Sequence, residues 1–320
     1  MPKHAAPAII RGMTAPPALT LALLAFSPAL AQPTAPFRIP PRVAEEAEVL
    51  QQNAPKILTQ ETLEQRSVMP PSRFRPRLGS AIDQATGPRF RVREVISEFS
   101  FGALRDSASH NLVEFRQVVS VDGQPLQSAD TALRALSLGV QAGDDRVRKR
   151  MLEEFARNGL VDIATDYALI LLAFTSRGQQ QMQFVPLGQA FVGTDAALTL
   201  SWKQNSTEGG VLEFHGQQSV RRALQGTLWV RAADGLPLRV NAWMEYTDQA
   251  QHLIRDDATV DYLMSQHGFL TPASVVHRHL VNGVVMTENL YRYEPFKLFS
   301  TSSAIKFGEV PDTPPEPIKK

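Results

Sequence analysis

The chain contains no cysteine. That excludes disulfides, thiol nucleophiles, Cys-ligated zinc, iron–sulfur clusters and a lipid anchor on an N-terminal cysteine. Net charge is also scarce: 33 Lys and Arg stand against 32 Asp and Glu, which excludes the strongly basic surface of a nucleic-acid binder. Beyond the first 31 residues no apolar run nears transmembrane length; the best, Tyr167 to Phe174, has eight residues where a span needs about 20. The short catalytic signatures are missing too: GxSxG, HExxH, the Walker loop, GxGxxG after a strand and the calcium loop. What is present is a chain of 320 residues, 43% hydrophobic and 20% charged, enough to bury a core without disulfides.

The first 31 residues stand apart. Lys3, His4 and Arg11 precede an uncharged stretch from Met13 to Ala31 built on Leu19, Leu21, Leu23, Leu24 and Phe26, and Ala29-Leu30-Ala31 supplies small residues for a peptidase. This is a secretory signal pattern, with cleavage expected before Gln32 and a periplasmic or secreted mature chain. Cleavage removes Lys3 and Arg11 but no acid, leaving 31 basic against 32 acidic side chains. Residues 32–56 read as a proline-rich linker with a short helix over Glu45–Gln52, and 309–320 as a disordered tail.

Residues 57–308 carry the pattern of an antiparallel sheet. Asp122-Gly123, Asp234-Gly235 and Asn282-Gly283 sit between β-rich runs and supply the positive φ of tight hairpins. Alternation puts Leu198, Leu200 and Trp202 on one strand face, and Leu238, Val240, Ala242, Met244 and Tyr246 on another. A helical insertion, 128–176, interrupts the strands. Its pieces are expected at Ser128–Leu138, Asp144–Asn158 and Asp162–Ser176. In the last, Asp162 is placed to cap, Ile163, Tyr167, Ile170, Leu171 and Phe174 form one face, and Leu169 and Leu172 make the other apolar. A helix apolar all round must be covered on both sides.

Two clusters offer chemistry. His277 and His279 alternate on one strand face, where both can reach one ion, with Asp256, Asp257, Asp261 or His267 as further ligands; solvated strand-face histidines are the plainer reading. Between Arg66 and Arg93 seven arginines (66, 73, 75, 77, 89, 91 and 93) face only Asp83. They suit an anionic membrane surface, or else a solvated edge that discourages strand pairing.

The order GTLWVRAADGLPLRV, TVDYLMSQHGFLTPASVVHRHLVNGVV and LYRYEPFKLFSTSSAIKF, spanning 226–307, resembles the sheet of the outer-membrane lipoprotein carrier (LolA-like) superfamily. The resemblance implies an α+β fold: a strongly curved antiparallel sheet, a half-barrel whose concave face is covered by helices around an apolar cavity for acyl chains. It places no functional residue of that family on this sequence.

The leading expectation is an exported, non-enzymatic protein that binds or carries an acyl chain, lipid or lipidated partner, without cofactor or nucleic acid. Tyr167, Ile170, Phe174, Leu198, Leu200, Trp202, Leu238, Val240, Met244 and Tyr246 are the expected wall residues. Rivals are an envelope interaction or sensor protein with a filled core, and a metal-dependent hydrolase using His277 and His279.

Overall fold

The computed structural model describes residues 39–69, 88–104, 112–163, 165–205, 211–215 and 218–299. The expected signal segment, most of the arginine-rich stretch, a further strand that the sequence pattern predicts at Ser300–Phe307 and the expected C-terminal tail lie outside them.

Helix α1 (Pro41–Asn53) begins with proline at its first position, where a missing N–H does no harm, and buries Val43, Ala47 and Leu50 along one stripe. It starts four residues before the expected helix. A 3-10 turn (Ala54–Lys56) leads into β1 (Ile57–Val68), where alternate side chains are buried. Then come β2 (Phe90–Ala103), β3 (Leu112–Val121) and the two-residue β4 (Gln124–Pro125). Helix α2 (Ala129–Ala142) is capped by Ser128, whose Oγ accepts from Thr131 N, and stops at left-handed Gly143. Helix α3 (Asp145–Arg157) is capped by Asp144 and closed by Leu160 N donating to Phe155 O.

Past a turn comes a 3-10 helix, Tyr167–Phe174, called the plug below, and the short α4 (Ser176–Gln179). The rest is strand: β5 (Met182–Val192), β6 (Asp195–Gln204), β7 (Val211–His215), β8 (Gln218–Arg222), β9 (Gln225–Arg231), β10 (Pro237–Thr247), β11 (Leu253–Met264), β12 (Leu270–Val281), β13 (Val284–Tyr293) and β14 (Lys297–Leu298).

Among the described residues twelve strands form one open sheet in the order β4-β3-β2-β1-β13-β12-β11-β10-β9-β6-β5, with β14 also on β1; β7 and β8 make a separate hairpin. Every pair is antiparallel, as the turn dipeptides predict. Asp122-Gly123 and Asn282-Gly283 both take left-handed φ at their two residues, whereas in the β9–β10 turn only Gly235 does. That longer turn is followed by a register shift between Pro237 and Arg239. Further shifts lie in β2, β11, β12 and β5, and bulges of this kind bend a sheet.

One face of the sheet, called inner here, carries Glu61, Leu63, Phe99, Val240, Ala258 and Tyr291. The plug and α1 lie over it, and the apolar ones among these residues form one continuous core with Phe174 and Trp202. Helix α2 instead packs on the opposite face of β2 and β3, where Leu136 meets Val113 and Phe115. Helix α3 bridges the two, with Val147 against the α2 cluster and Met151 and Phe155 in the main core.

One expectation is corrected. Asp162–Ser176 is not a capped α-helix. Asp162 and Asp166 both take left-handed φ; Asp162 Oδ2 accepts from Thr287 Oγ1 and Asp166 Oδ1 from Glu114 N, so neither carboxylate caps. Within the segment Ala168 N donates to Glu114 and Leu171 N to Tyr262, replacing bonds an α-helix makes with itself. Strand β5 forms despite Pro186 and Gly188, because it is an edge strand, where a proline leaves no ladder bond unmade.

Candidate functional site

The inner face divides into an apolar and a polar band. The apolar band runs over β10, β9, β6 and β5. Leu200, Trp202, Leu238, Val240 and Met244 are buried there, and Leu198 packs on them half-buried. Phe174 of the plug meets the Trp202 ring edge-on at 5.2 Å and the Phe184 ring at 6.3 Å. The Trp202 indole N–H donates to Asn241 O at 3.2 Å, so the ring is fixed at both ends. Nine of the ten expected wall residues, Ile170 and Phe174 among them, thus lie in or against one core. Tyr246 does not; it sits half-buried at the margin with the Arg222 guanidinium 3.6 Å over its ring. Tyr167, though in the core, stacks on His277 at 5.5 Å and so borders the polar band.

The polar band crosses β1, β13, β12 and β11. His277 is 3% exposed, which rules out the solvated-histidine reading. Its Nε2–H donates to Asp256 Oδ1 at 3.2 Å, and the same oxygen accepts from His279 Nδ1 at 2.9 Å. His277 Nδ1 accepts from Asn289 Nδ2 at 3.2 Å, which also donates to Asp162 O at 2.8 Å. Asn289 Oδ1 accepts from Gln65 Nε2 at 2.7 Å, and the Gln65 amide closes on the main chain of Val161, donating to its oxygen at 2.7 Å and accepting from its nitrogen at 3.0 Å. Burial pushes the Asp256 carboxyl up, but the hydrogen bonds and charge of the two histidines outweigh it and hold the group below the usual carboxylate range.

Both ring nitrogens of His277 are therefore used by protein partners, leaving no lone pair for a metal. Of the proposed further ligands only Asp256 joins the pair. Asp257 pairs with Arg255 and Asp261 with Arg239, while His267 Nε2 lies 3.0 Å from Phe296 O. Among the described residues no group of three or more His, Cys, Asp or Glu is placed to hold a metal ion.

A third buried arrangement escaped the sequence reading. Arg116 donates to both oxygens of Glu61, at 2.6 and 2.8 Å, and pairs with Glu114 at 2.8 Å, its guanidinium 4.8 Å from the Phe99 ring centre and 5.3 Å from that of Tyr291. Burial pushes the Glu61 carboxyl up while the Arg116 charge pulls it down. Because Glu114 Oε1 also accepts from Ala168 N, this ion group is an anchor of the plug. VEFRQVV does place Glu114 and Arg116 on one strand face with Val118, but nothing in the string says that this face is the buried one. Away from the inner face, α2, α3 and Gln117 of β3 enclose a cleft of about 520 Å³ floored by Gly139, Val147 and Met151.

No protein-family model matches this chain, and no curated protein matches it. Among solved structures it is similar to a LolA superfamily protein from Nitrosomonas europaea at 10% identity, over 82% of this chain and 95% of that one, with a TM-score of 0.31. It is similar to a putative outer membrane lipoprotein-sorting protein domain from Vibrio parahaemolyticus at 9% identity, over 81% and 94%, with a TM-score of 0.30. A DUF1329 family protein from Desulfovibrio piger matches at 12% identity, over 84% and 98%, with a TM-score of 0.31. The first carries the superfamily name that residues 226–307 resemble.

Proposed function

We propose that the chain is an exported, non-enzymatic carrier that holds an acyl chain, of a lipid or a lipidated protein, against the inner face in the place of the plug. The plug itself is the observation that carries this reading. YALILLAF is apolar throughout, yet it forms an eight-residue 3-10 helix, a conformation with poorer hydrogen bonds that rarely exceeds three or four residues. Its backbone leans on Glu114 and Tyr262, side chains of the sheet. A segment held in this way is replaceable: an acyl chain laid on Trp202, Val240 and Met244 recovers about 0.8 kcal/mol per buried methylene. The signal pattern of residues 1–31 supports export to the periplasm, and the arginines between Arg66 and Arg93 support delivery at an anionic membrane surface.

The test is to prepare the chain from Gln32 onward, extract it with organic solvent for mass spectrometry, and titrate the delipidated protein with a fluorescent fatty acid. Co-purified lipid and saturable binding are expected. If neither is seen, the carrier reading fails and the second reading stands, an envelope interaction protein with a filled core, which the edge-on packing of Phe174 on Trp202 favours.

A further inference from the structure

The polar band ties the sheet to the leader of the plug through hydrogen bonds that all run in one sense. We infer that this chain of bonds is a proton-operated latch: a proton on His277 Nδ1 releases the Val161–Asp162 turn and with it the plug. The inference rests on the carrier reading for its purpose, since it assigns the regulation of that same site, but its geometry stands apart from any ligand.

The sense of the chain is fixed at its far end by main-chain groups, which cannot turn over. Val161 N–H must donate and Val161 O must accept, so Gln65 presents Oε1 to the first and Nε2 to the second. The Gln65 Nε2 that remains directed at Asn289 fixes that residue's Oδ1 as acceptor. Asn289 Nδ2 is then the donor both to Asp162 O and to His277 Nδ1, so the ring nitrogen has to be bare. A second proton on the ring would set Nδ1–H against an N–H₂ group. Turning the Asn289 amide cures that clash but sets its oxygen against Asp162 O and its nitrogen against Gln65 Nε2. Turning Gln65 in answer reverses both of its bonds to Val161. The conflict is passed along and ends at the backbone, where the only relief is for the turn to leave.

The other end of the chain welcomes the proton. Asp256 faces the ring from β11 and stays ionised, with His279 beside it on β12. The covering segment adds Asp162, bonded to Thr287, and the Tyr167 ring stacked on His277; Gln65 of β1 and Asn289 and Thr287 of β13 are neutral. A charged imidazole thus has a carboxylate partner in place and a hydrogen-bond conflict one atom away. Histidine is the side chain that changes charge between about pH 5 and pH 8, so the latch is closed on the alkaline side and open on the acid side.

Amide hydrogen exchange of the ligand-free chain from Gln32 onward, corrected for intrinsic rates, reads this directly, because Val161 N–H is one of the latch bonds. Between about pH 8 and about pH 5 protection at Val161 and Leu171 should fall by about tenfold or more, while protection in β10 and β11 holds. His277→Gln keeps a donor and an acceptor but cannot titrate, and its protection at Val161 should not follow pH. A flat wild-type profile, or an equal fall in His277→Gln, overturns the latch. Should that variant fail to fold, ¹⁵N spectra of the wild-type imidazoles serve instead. Titration of His277 more than about one pH unit from the midpoint of Val161 deprotection overturns the latch too, and coincidence supports it. Fluorescent fatty-acid binding at the two pH values separates the two ideas. Exchange that follows pH with no probe bound at either value upholds the latch and sinks the carrier reading; bound probe with flat exchange does the reverse.

Discussion

Asp256 shows how a single buried carboxylate organises this protein. It is 8% exposed and accepts from both His277 and His279, so its charge is matched on two sides. Its pKa is held down in the folded chain, which means that its contribution is fully present above the ordinary carboxylate value of about 3.9 and is lost as pH falls through the folded value below it. Asp256→Asn should therefore be less stable than wild type near neutrality by about 1–3 kcal/mol, from the weakened hydrogen bonds to a former charge. In urea unfolding from about pH 5 to about pH 2 that gap should narrow, because only the wild type has a proton to take up at this position. A gap that widens on acidification would contradict the assignment. At this scale the sequence was partly legible. Period-two alternation correctly put His277 and His279 on one face, but the string VVHRHL looks the same whether that face meets water or a plug. The partner that decides their role, Asp256, sits on the neighbouring strand in a register set by a bulge between Asp261 and Tyr262.

Among the elements, the plug is the one whose conformation its own residues do not choose. Helical spacing of Ile163, Tyr167, Ile170, Leu171 and Phe174 points to an α-helix, whereas α3 matches its expected range to within a residue at each end and α2 runs four residues past the expected Leu138. Those two carry their start and stop signals locally: Ser128 and Gly143, Asp144 and Asn158-Gly159. In the plug the deciding groups come from distant strands. The Tyr262 hydroxyl accepts from Leu171 N at 3.1 Å and donates to Ala168 O at 3.0 Å, and burial pushes its phenol well up, so it is always available as a donor. Tyr262→Phe removes one hydroxyl and leaves two buried backbone groups of the plug unpaired. The expected loss is about 1–3 kcal/mol, and it should be local: hydrogen exchange of Ala168 to Phe174 rises while β12 and β13 keep their protection. A uniform rise across the sheet would mean that the plug unfolds only with the rest of the molecule, and could not yield its place to an acyl chain.

Taken whole, the molecule is an open sheet with two unlike edges and an uneven charge. The short β4 and the adjoining α3 blunt one edge. The other, β5, keeps Val185, Leu187 and Phe191 exposed, the last at 74%, and relies on Pro186 and the bulge before Gly188 against pairing. Antiparallel architecture was legible because turn dipeptides and alternation are local signals; strand order was not, since β1 pairs with β13 across more than two hundred residues. Charge distribution was legible at once, and it leads to the last expectation. Arg66, Arg89 and Arg91 are exposed at one end of the β1–β2 pair, the end near which the α3 terminus at Gly159 lies against the Arg91 and Arg93 guanidinium groups. The chain from Gln32 onward has one more acidic than basic side chain, so attraction to an anionic bilayer has to come from a local cluster such as this end and not from net charge. At about 1 kcal/mol per arginine near such a surface, Arg66→Gln, Arg89→Gln and Arg91→Gln together should weaken co-sedimentation with phosphatidylglycerol vesicles by about a hundredfold. Neutral vesicles should bind neither protein, and raising salt from about 0.01 to about 0.15 M should weaken wild-type binding as screening shortens from about 30 to about 8 Å. Binding that persists in the triple variant and in salt would point instead to apolar insertion, with exposed Phe191 and Leu187 of β5 the side chains to change next.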